Sequence, residues 1–414
     1  MKLETRNLKL ETGKRQPATR IHKAGWVVVD PRTVIQDGYV KVESGLIKEV
    51  GQGKKSGTEN VIDHGPGVIM PALVNAHTHL ELSMLKGRIS FEKGFQAWVA
   101  QLIKQREEAG AEALIKGAKK GIKELADSGC GIIGEVSTLG LTLEAFSRSG
   151  LSGVWFKEYF GEMNPEISHF PFLTSHFSLL TSHFSLASLA GHAPHTTSPD
   201  FLAALKNAAK KHNLPFSIHL GESEDETEFL TTGKGRWADF LSERGINFSD
   251  WGLPVESTVK YMEQIGVLDE KTLAVHLISA KQDDFETLLR HKVNVCLCLR
   301  SNKNLHNRLP DIEGMLKAGI KPCLGTDSLA STESLSMFDE MAFVSGAFPC
   351  VPPEDILAMA TINGAKALGM ENSFGSLVPG KYGAFIYVPM DISSDSEMIE
   401  QIVNKAHDRL SDRK

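Results

Sequence analysis

The chain has 414 residues, a formal net charge of −6, 41% hydrophobic and 23% charged residues, values ordinary for a folded globular protein. No apolar run reaches the ~18 residues of a membrane span, and no Lys/Arg cluster is long enough to track phosphates, so neither a membrane nor a nucleic acid is expected as partner; a small-molecule ligand remains. The polar opening MKLETRNLKLETGKRQPATR lacks the apolar core of a secretory signal and the five cysteines are an odd number, which together predict a cytoplasmic protein without a disulfide framework.

Strand character begins at GWVVVDP (25–31) and continues through DGYVKVESGLIKEVG (37–51), β-branched segments punctuated by glycine. A similar passage, GSLVPGKYGAFIYVP, returns at 375–389. Two β segments flanking a long α/β middle predict a small β-sandwich formed from residues 1–66 and 373–414, around a separate body at 67–372. Within that body eight apolar runs of strand length recur, at 68–79, 130–138, 152–161, 185–195, 214–222, 272–279, 293–301 and 320–328. Between them lie amphipathic stretches such as 111–129 and 198–213, with apolar residues at helical spacing. Eight buried strands alternating with helices over about 250 residues predict an α/β fold, a closed (β/α)8 TIM barrel.

Each run ends in residues able to do chemistry: His77 and His79, Glu135, Glu158, His192, His219 with Glu222, His276, Arg300 with Ser301, and Asp327. The C-terminal strand ends of a barrel converge on one mouth, so these distant residues are expected to be neighbours. His77 and His79, two apart on a strand, leave the same face. With His219, His276 and Asp327 they offer nitrogen and oxygen ligands suited to zinc or ferrous iron. Cys296 and Cys298, also two apart, are read as small buried hydrophobes.

The motifs PALVNAHTHLE, HAPH, IHLGESEDE, AVHL, RSN and LGTDSLAST occur in the order found in the amidohydrolase superfamily, and the sequence resembles its metal-dependent deaminase and chlorohydrolase branch from about residue 25 to about residue 390. The resemblance implies that His77, His79, His219 and Asp327 hold one divalent metal, zinc first and Fe2+ or Mn2+ as alternatives, which activates water by bringing its pKa toward ~7. It implies catalytic roles for Asp327, which holds and deprotonates the water, for His276, which orients it, and for Glu222, which carries a proton to the ring nitrogen and then to the leaving amine. Binuclear relatives carry a carboxylated lysine at the end of strand 4; here strand 4 ends LAGHAPH, so one metal is expected, and Lys157 on strand 3 is read as a barrel-periphery or ion-pair residue. The cytidine-deaminase signature, H-x-E with P-C-x-x-C, is missing.

His192 matches a histidine that contacts a purine ring nitrogen in this branch. Together with Glu81, Trp98, Glu158, Arg300 and Ser301 it is similar to the substrate pocket of the 6-aminodeoxyfutalosine deaminases of menaquinone biosynthesis. The implied reaction is hydrolysis of a 6-aminopurine nucleoside to its 6-oxo product with release of ammonia. The alternatives are deamination of adenosine, S-adenosylhomocysteine, methylthioadenosine or guanine, dechlorination of a triazine, and a metal-free scaffold of the same fold. A homodimer is compatible with this reading. His195 stands where the family has tyrosine and Ala384 where it has an acid, and the chain ends without the family's closing strands. The histidine-rich stretch 168–195 contains a tandem LTSHFSL at 173–179 and 180–186. It is expected to form a helix in the outer layer, where His176 and His183, two turns apart, cannot share an ion.

Overall fold

The computed structural model describes residues 19–53, 60–92, 94–163, 185–391 and 395–405. The tandem repeat lies almost wholly outside them. The N-terminal segments form β1 (Arg20–Lys23), β2 (Trp26–Asp30), β3 (Thr33–Gln36), β4 (Gly38–Glu43), β5 (Leu46–Gln52), β6 (Asn60–Asp63) and β7 (Val68–Pro71). The barrel strands follow as β8 (Leu73–Thr78), β9 (Cys130–Ser137), β10 (Ser152–Tyr159), β11 (Ser185–Gly191), β12 (Phe216–Leu220), β13 (Thr272–His276), β14 (Asn294–Leu297) and β15 (Cys323–Leu324), and β16 (Phe385–Val388) returns to the small domain.

The eight strands β8 to β15 form one parallel sheet in chain order. A bridge between Thr78 and Asp327 joins its two edges. This is the expected (β/α)8 barrel. No helix among the described residues is long and apolar enough to cross a membrane.

Two four-stranded sheets, ordered β5-β4-β1-β6 and β16-β7-β2-β3, build the small domain from both ends of the chain. Alternation explains the continuous apolar run in β2: Val27 and Val29 enter the core between the two sheets, whereas Trp26 and Val28 join the core of the barrel. The same split holds in β7 and β16, where Ile69, Phe385 and Tyr387 face one core and Val68, Met70, Ile386 and Val388 the other. Strands β2, β7 and β16 therefore pack on both faces.

Two details differ from the expectation. The run 68–79 is two strands, because after Pro71 the chain leaves the small sheet, Ala72 N–H donating to Ala384 O at 3.0 Å, and Leu73 N–H begins the barrel by donating to Gly129 O at 3.0 Å. The run 293–301 holds a strand only to Leu297; Cys298 precedes a helix, Leu299–His306, so Arg300 and Ser301 belong to its first turn. Both cysteines are buried as expected. After β16 a helix, Asp395–Val403, packs on helices Met337–Ala347 and Pro353–Met359 and buries Met398, Ile399, Ile402 and Val403.

Gly153 on β10 has φ +142°, and a Cβ there would lie 1.9 Å from the Ile133 carbonyl oxygen of β9. The obstacle is backbone of the neighbouring strand and cannot swing away. Gly153→Ala is expected to destabilise the fold by about 2–4 kcal/mol, measured by urea unfolding followed by circular dichroism.

Candidate metal centre and active site

The site is built where the first and last barrel strands meet. Thr326 N–H and Asp327 N–H both donate to His77 O at 3.1 Å. Asn75 Nδ2 donates to Thr326 Oγ1 at 2.7 Å, Thr326 N–H returns to Asn75 Oδ1 at 3.1 Å, and Thr78 Oγ1 donates to Asp327 O at 3.0 Å. These bonds place Asp327 beside the His77/His79 pair, at the expense of a left-handed backbone: φ is +59° at Asp327 and +78° at His276. Left-handed non-glycine residues cost on the order of 1–3 kcal/mol each and cluster at functional sites.

The ligating atoms of His77, His79 and His219 lie within 4.8 Å of one another. His79 Nε2 is 3.3 Å from His219 Nε2 and 3.7 Å from Asp327 Oδ1. Two nitrogens on one tetrahedral zinc, each ~2.05 Å away, would be about 3.3 Å apart. His77 is fully buried, and both its ring nitrogens lack a hydrogen-bond partner among the described residues, which is unfavourable unless a cation is held there. Burial first, then the imidazoles of His79, His276 and His192, holds His77 well below the usual histidine range; burial and the same cluster act on His219. Neutral imidazoles are the form a metal needs. The donor set of three imidazoles and a carboxylate fits a divalent metal such as zinc.

Around this centre stand the groups that handle protons and charge. Glu222 Oε2 lies 3.7 Å from His276 Nε2 and 4.0 Å from His219 Nδ1. Burial alone would raise the Glu222 carboxyl, but His276, His306 and His192 together hold it below the usual carboxylate range. His276 Nδ1 is 2.8 Å from Asn302 Oδ1, so the ring donates there and turns Nε2 toward the site. Asp327 Oδ2 accepts from Ser301 Oγ at 2.6 Å and Ser331 Oγ at 3.0 Å, which fixes the carboxylate and leaves Oδ1 toward His79.

The loop that carries Glu222 is held by a residue of the acidic run ESEDETE that is buried, not solvated. Glu226 accepts from Gly221 N–H at 2.8 Å and Glu222 N–H at 2.9 Å, while its own N–H donates to the N-cap Ser223 Oγ of the helix Glu224–Thr232. Burial pushes its carboxyl up to about 8, against these two backbone donors. His195, buried with Nδ1 3.8 Å from Glu226 Oε2 and its ring 4.6 Å from Trp237, packs behind this loop.

Of the expected substrate residues, Glu158 and His192 reach the centre: their polar atoms and those of His219 lie within 4.8 Å of one another. Thr196 Oγ1 engages His192 Nδ1 at 2.7 Å, leaving Nε2. Glu158 Oε2 accepts from Thr138 Oγ1, while its buried Oε1 has no hydrogen-bond partner among the described residues. The others are engaged within the protein. Glu81 accepts from Ser137 Oγ and from Leu139 and Leu141 N–H, anchoring the loop after β9. Trp98 Nε1 donates to Ala330 O at 3.1 Å from within an apolar cluster. Arg300 binds Ser334 and Glu333, and Ser301 supports Asp327. Lys157 donates to Thr138 O and Glu158 O rather than to a carboxylate. Asn302, His306, Ser331, Thr196 and Glu226 were not singled out from sequence; Asn302 and His306 are four apart on a helix, a phase hidden while the segment reads as strand.

Ser301→Ala would free Asp327 Oδ2 of one donor without touching a ligand. Supports of this kind are worth ~10–100-fold in metal affinity. A chelator competition titration is expected to show a loss of zinc affinity in that range with an unchanged fold.

Comparison with known proteins places the chain in a family. The model of the amidohydrolase family matches residues 68–409. The 5-methylthioadenosine/S-adenosylhomocysteine deaminase of Nitratidesulfovibrio vulgaris is 30% identical over 376 residues, 86% of this chain and 80% of that protein. The crystal structure of Helicobacter pylori aminofutalosine deaminase in complex with methylthio-coformycin superposes with a TM-score of 0.84 at 24% identity, covering 94% of this chain and 97% of that one. An adenosine deaminase from Xanthomonas campestris, with bound zinc, gives 0.76 at 22% identity and covers 94% and 89%. The chain is a member of the amidohydrolase family, a hydrolase acting on C–N bonds.

Proposed function

We propose that this protein is a hydrolytic deaminase of 6-aminopurine nucleosides that works with one divalent metal, zinc first, and that 6-amino-6-deoxyfutalosine is its substrate. The observation that carries the reading is the placement of buried Glu222 against His276 and His219, with His77, His79 and Asp327 beside them. A metal held by His77, His79, His219 and Asp327 supplies an activated water.

The remaining chemistry belongs to the side chains. Asp327 accepts the proton of the attacking water, and its Ser301 and Ser331 donors keep the carboxylate in place. His276, oriented by Asn302, presents the Nε2 lone pair as an acceptor that orients the attacking water. The carboxylate of Glu222 takes up the other proton of that water and delivers it to the ring nitrogen next to the reacting carbon. As the C–N bond breaks, the proton held by Asp327 follows by way of Glu222 to the departing amine, which leaves as ammonia. Glu158 Oε1 and His192 Nε2, close together at the same centre, are an acceptor and a second polar contact for the heterocycle.

The names of the relatives support an adenosine-type substrate. A second reading, deamination of methylthioadenosine or S-adenosylhomocysteine, is favoured by the relative at 30% identity. Turnover of aminodeoxyfutalosine, methylthioadenosine, S-adenosylhomocysteine, adenosine and guanine, followed by ammonia release, separates the two, and absence of turnover on every aminopurine overturns both. Glu222→Gln is expected to lower kcat by ~10²–10⁴-fold while zinc content, read by atomic absorption, stays at the wild-type value. Removal of metal with a chelator is expected to abolish turnover, and added zinc to restore it.

A further inference from the structure

Resting on that reading, we infer that His306 is a positioning residue for the proton carrier: it binds one oxygen of Glu222 and thereby assigns proton transfer to the other. The two oxygens of Glu222 have different surroundings. Oε2 faces His276 Nε2 and His219 Nδ1, on the side of the metal ligands. Oε1 faces away from them and lies 3.3 Å from His306 Nε2.

In a contact of this length between an imidazole nitrogen and a carboxylate oxygen the nitrogen donates, so the His306 ring carries its proton on Nε2. The ring is held from two directions. It ends the helix Leu299–His306, 84 residues beyond Glu222 in sequence, and it lies against Phe95 with ring centroids 4.7 Å apart. The end of a helix favours a group that can carry positive charge. A hydrogen bond at one oxygen opposes the rotation that would exchange the two, and so favours Oε2 aimed at the reacting centre. No atom of His306 enters the bond changes; Glu222 Oε2 takes up and gives back the proton.

The test uses His306→Phe, which keeps a ring for Phe95 and removes the donor, and His306→Gln, whose amide restores an N–H near the Nε2 position. His306→Phe is expected to lose roughly 10- to 100-fold in kcat with KM within about threefold, the size of a hydrogen bond to a charged group. His306→Gln recovers most of that loss, and both variants keep the wild-type melting temperature within a few degrees. The inference is overturned if His306→Phe keeps kcat within twofold, or if His306→Gln is as impaired as His306→Phe.

A second measurement needs no substrate. Long-range ¹H–¹⁵N spectra of imidazole-labelled protein, with the His306 signals identified by their loss in His306→Gln, are expected to show the Nε2-protonated ring in wild type and a change of that signal in Glu222→Ala. An Nδ1-protonated ring in wild type overturns the inference whatever the substrate proves to be. Absence of turnover on all aminopurines with an Nε2-protonated ring overturns the proposed function alone.

Discussion

The seam between β8 and β15 is the constraint on which the site depends. Residues 249 positions apart are stitched there by side chain and backbone, with Asn75 and Thr326 bonded in both directions and the His77 carbonyl shared by two N–H groups. Closing a loop of that length has a substantial entropic cost, but one that grows only slowly with length, so a few well-placed bonds in a buried layer suffice to hold it. Because β15 is only two residues long, the chain must turn sharply into its following loop, and the left-handed conformation of Asp327 is the local result. The same turn swings the carboxylate toward His79. Fold closure and assembly of the ligand set are thus one event.

At Glu222 charge is arranged in the opposite sense to what burial alone would give. Burial and the surrounding imidazoles hold His77 and His219 well below the usual histidine range, while His276, His306 and His192 hold the Glu222 carboxyl below the usual carboxylate range against its burial. A carboxylate is thereby stored next to a place where positive charge is wanted. The donors Ser301 and Ser331 and the acceptor Asn302 each engage the far side of a reacting group, leaving the near side available.

The barrel and its central residues were legible because they rest on strong local patterns. His77 and His79 share a strand face through a spacing of two, and each further ligand stands at the end of an apolar run long enough to be a buried strand. What could not be read were features in which one run serves two purposes. The segment 68–79 is uniformly apolar although β7 and β8 belong to different sheets, and only the bond from Ala72 to Ala384, more than 300 residues away, marks the change. In CLCLRSN a short strand passes into a helix with no breaker between them, so the side-chain phase of Asn302 and His306 was hidden. Glu81, Trp98 and Arg300 stand in recognisable motifs, yet their polar atoms are bound by Ser137, Ala330 and Ser334. Residue type and position carry no record of which atom is already engaged.

The eight-residue helix Leu299–His306 meets the site at three points through Ser301, Asn302 and His306, which touch Asp327, His276 and Glu222 respectively. It works as a camshaft does, in that a small rotation about its axis displaces all three contacts together and in fixed proportion. Gradual drift in this segment would disturb all three contacts at once, so variation that retunes ligand preference has more freedom outside it.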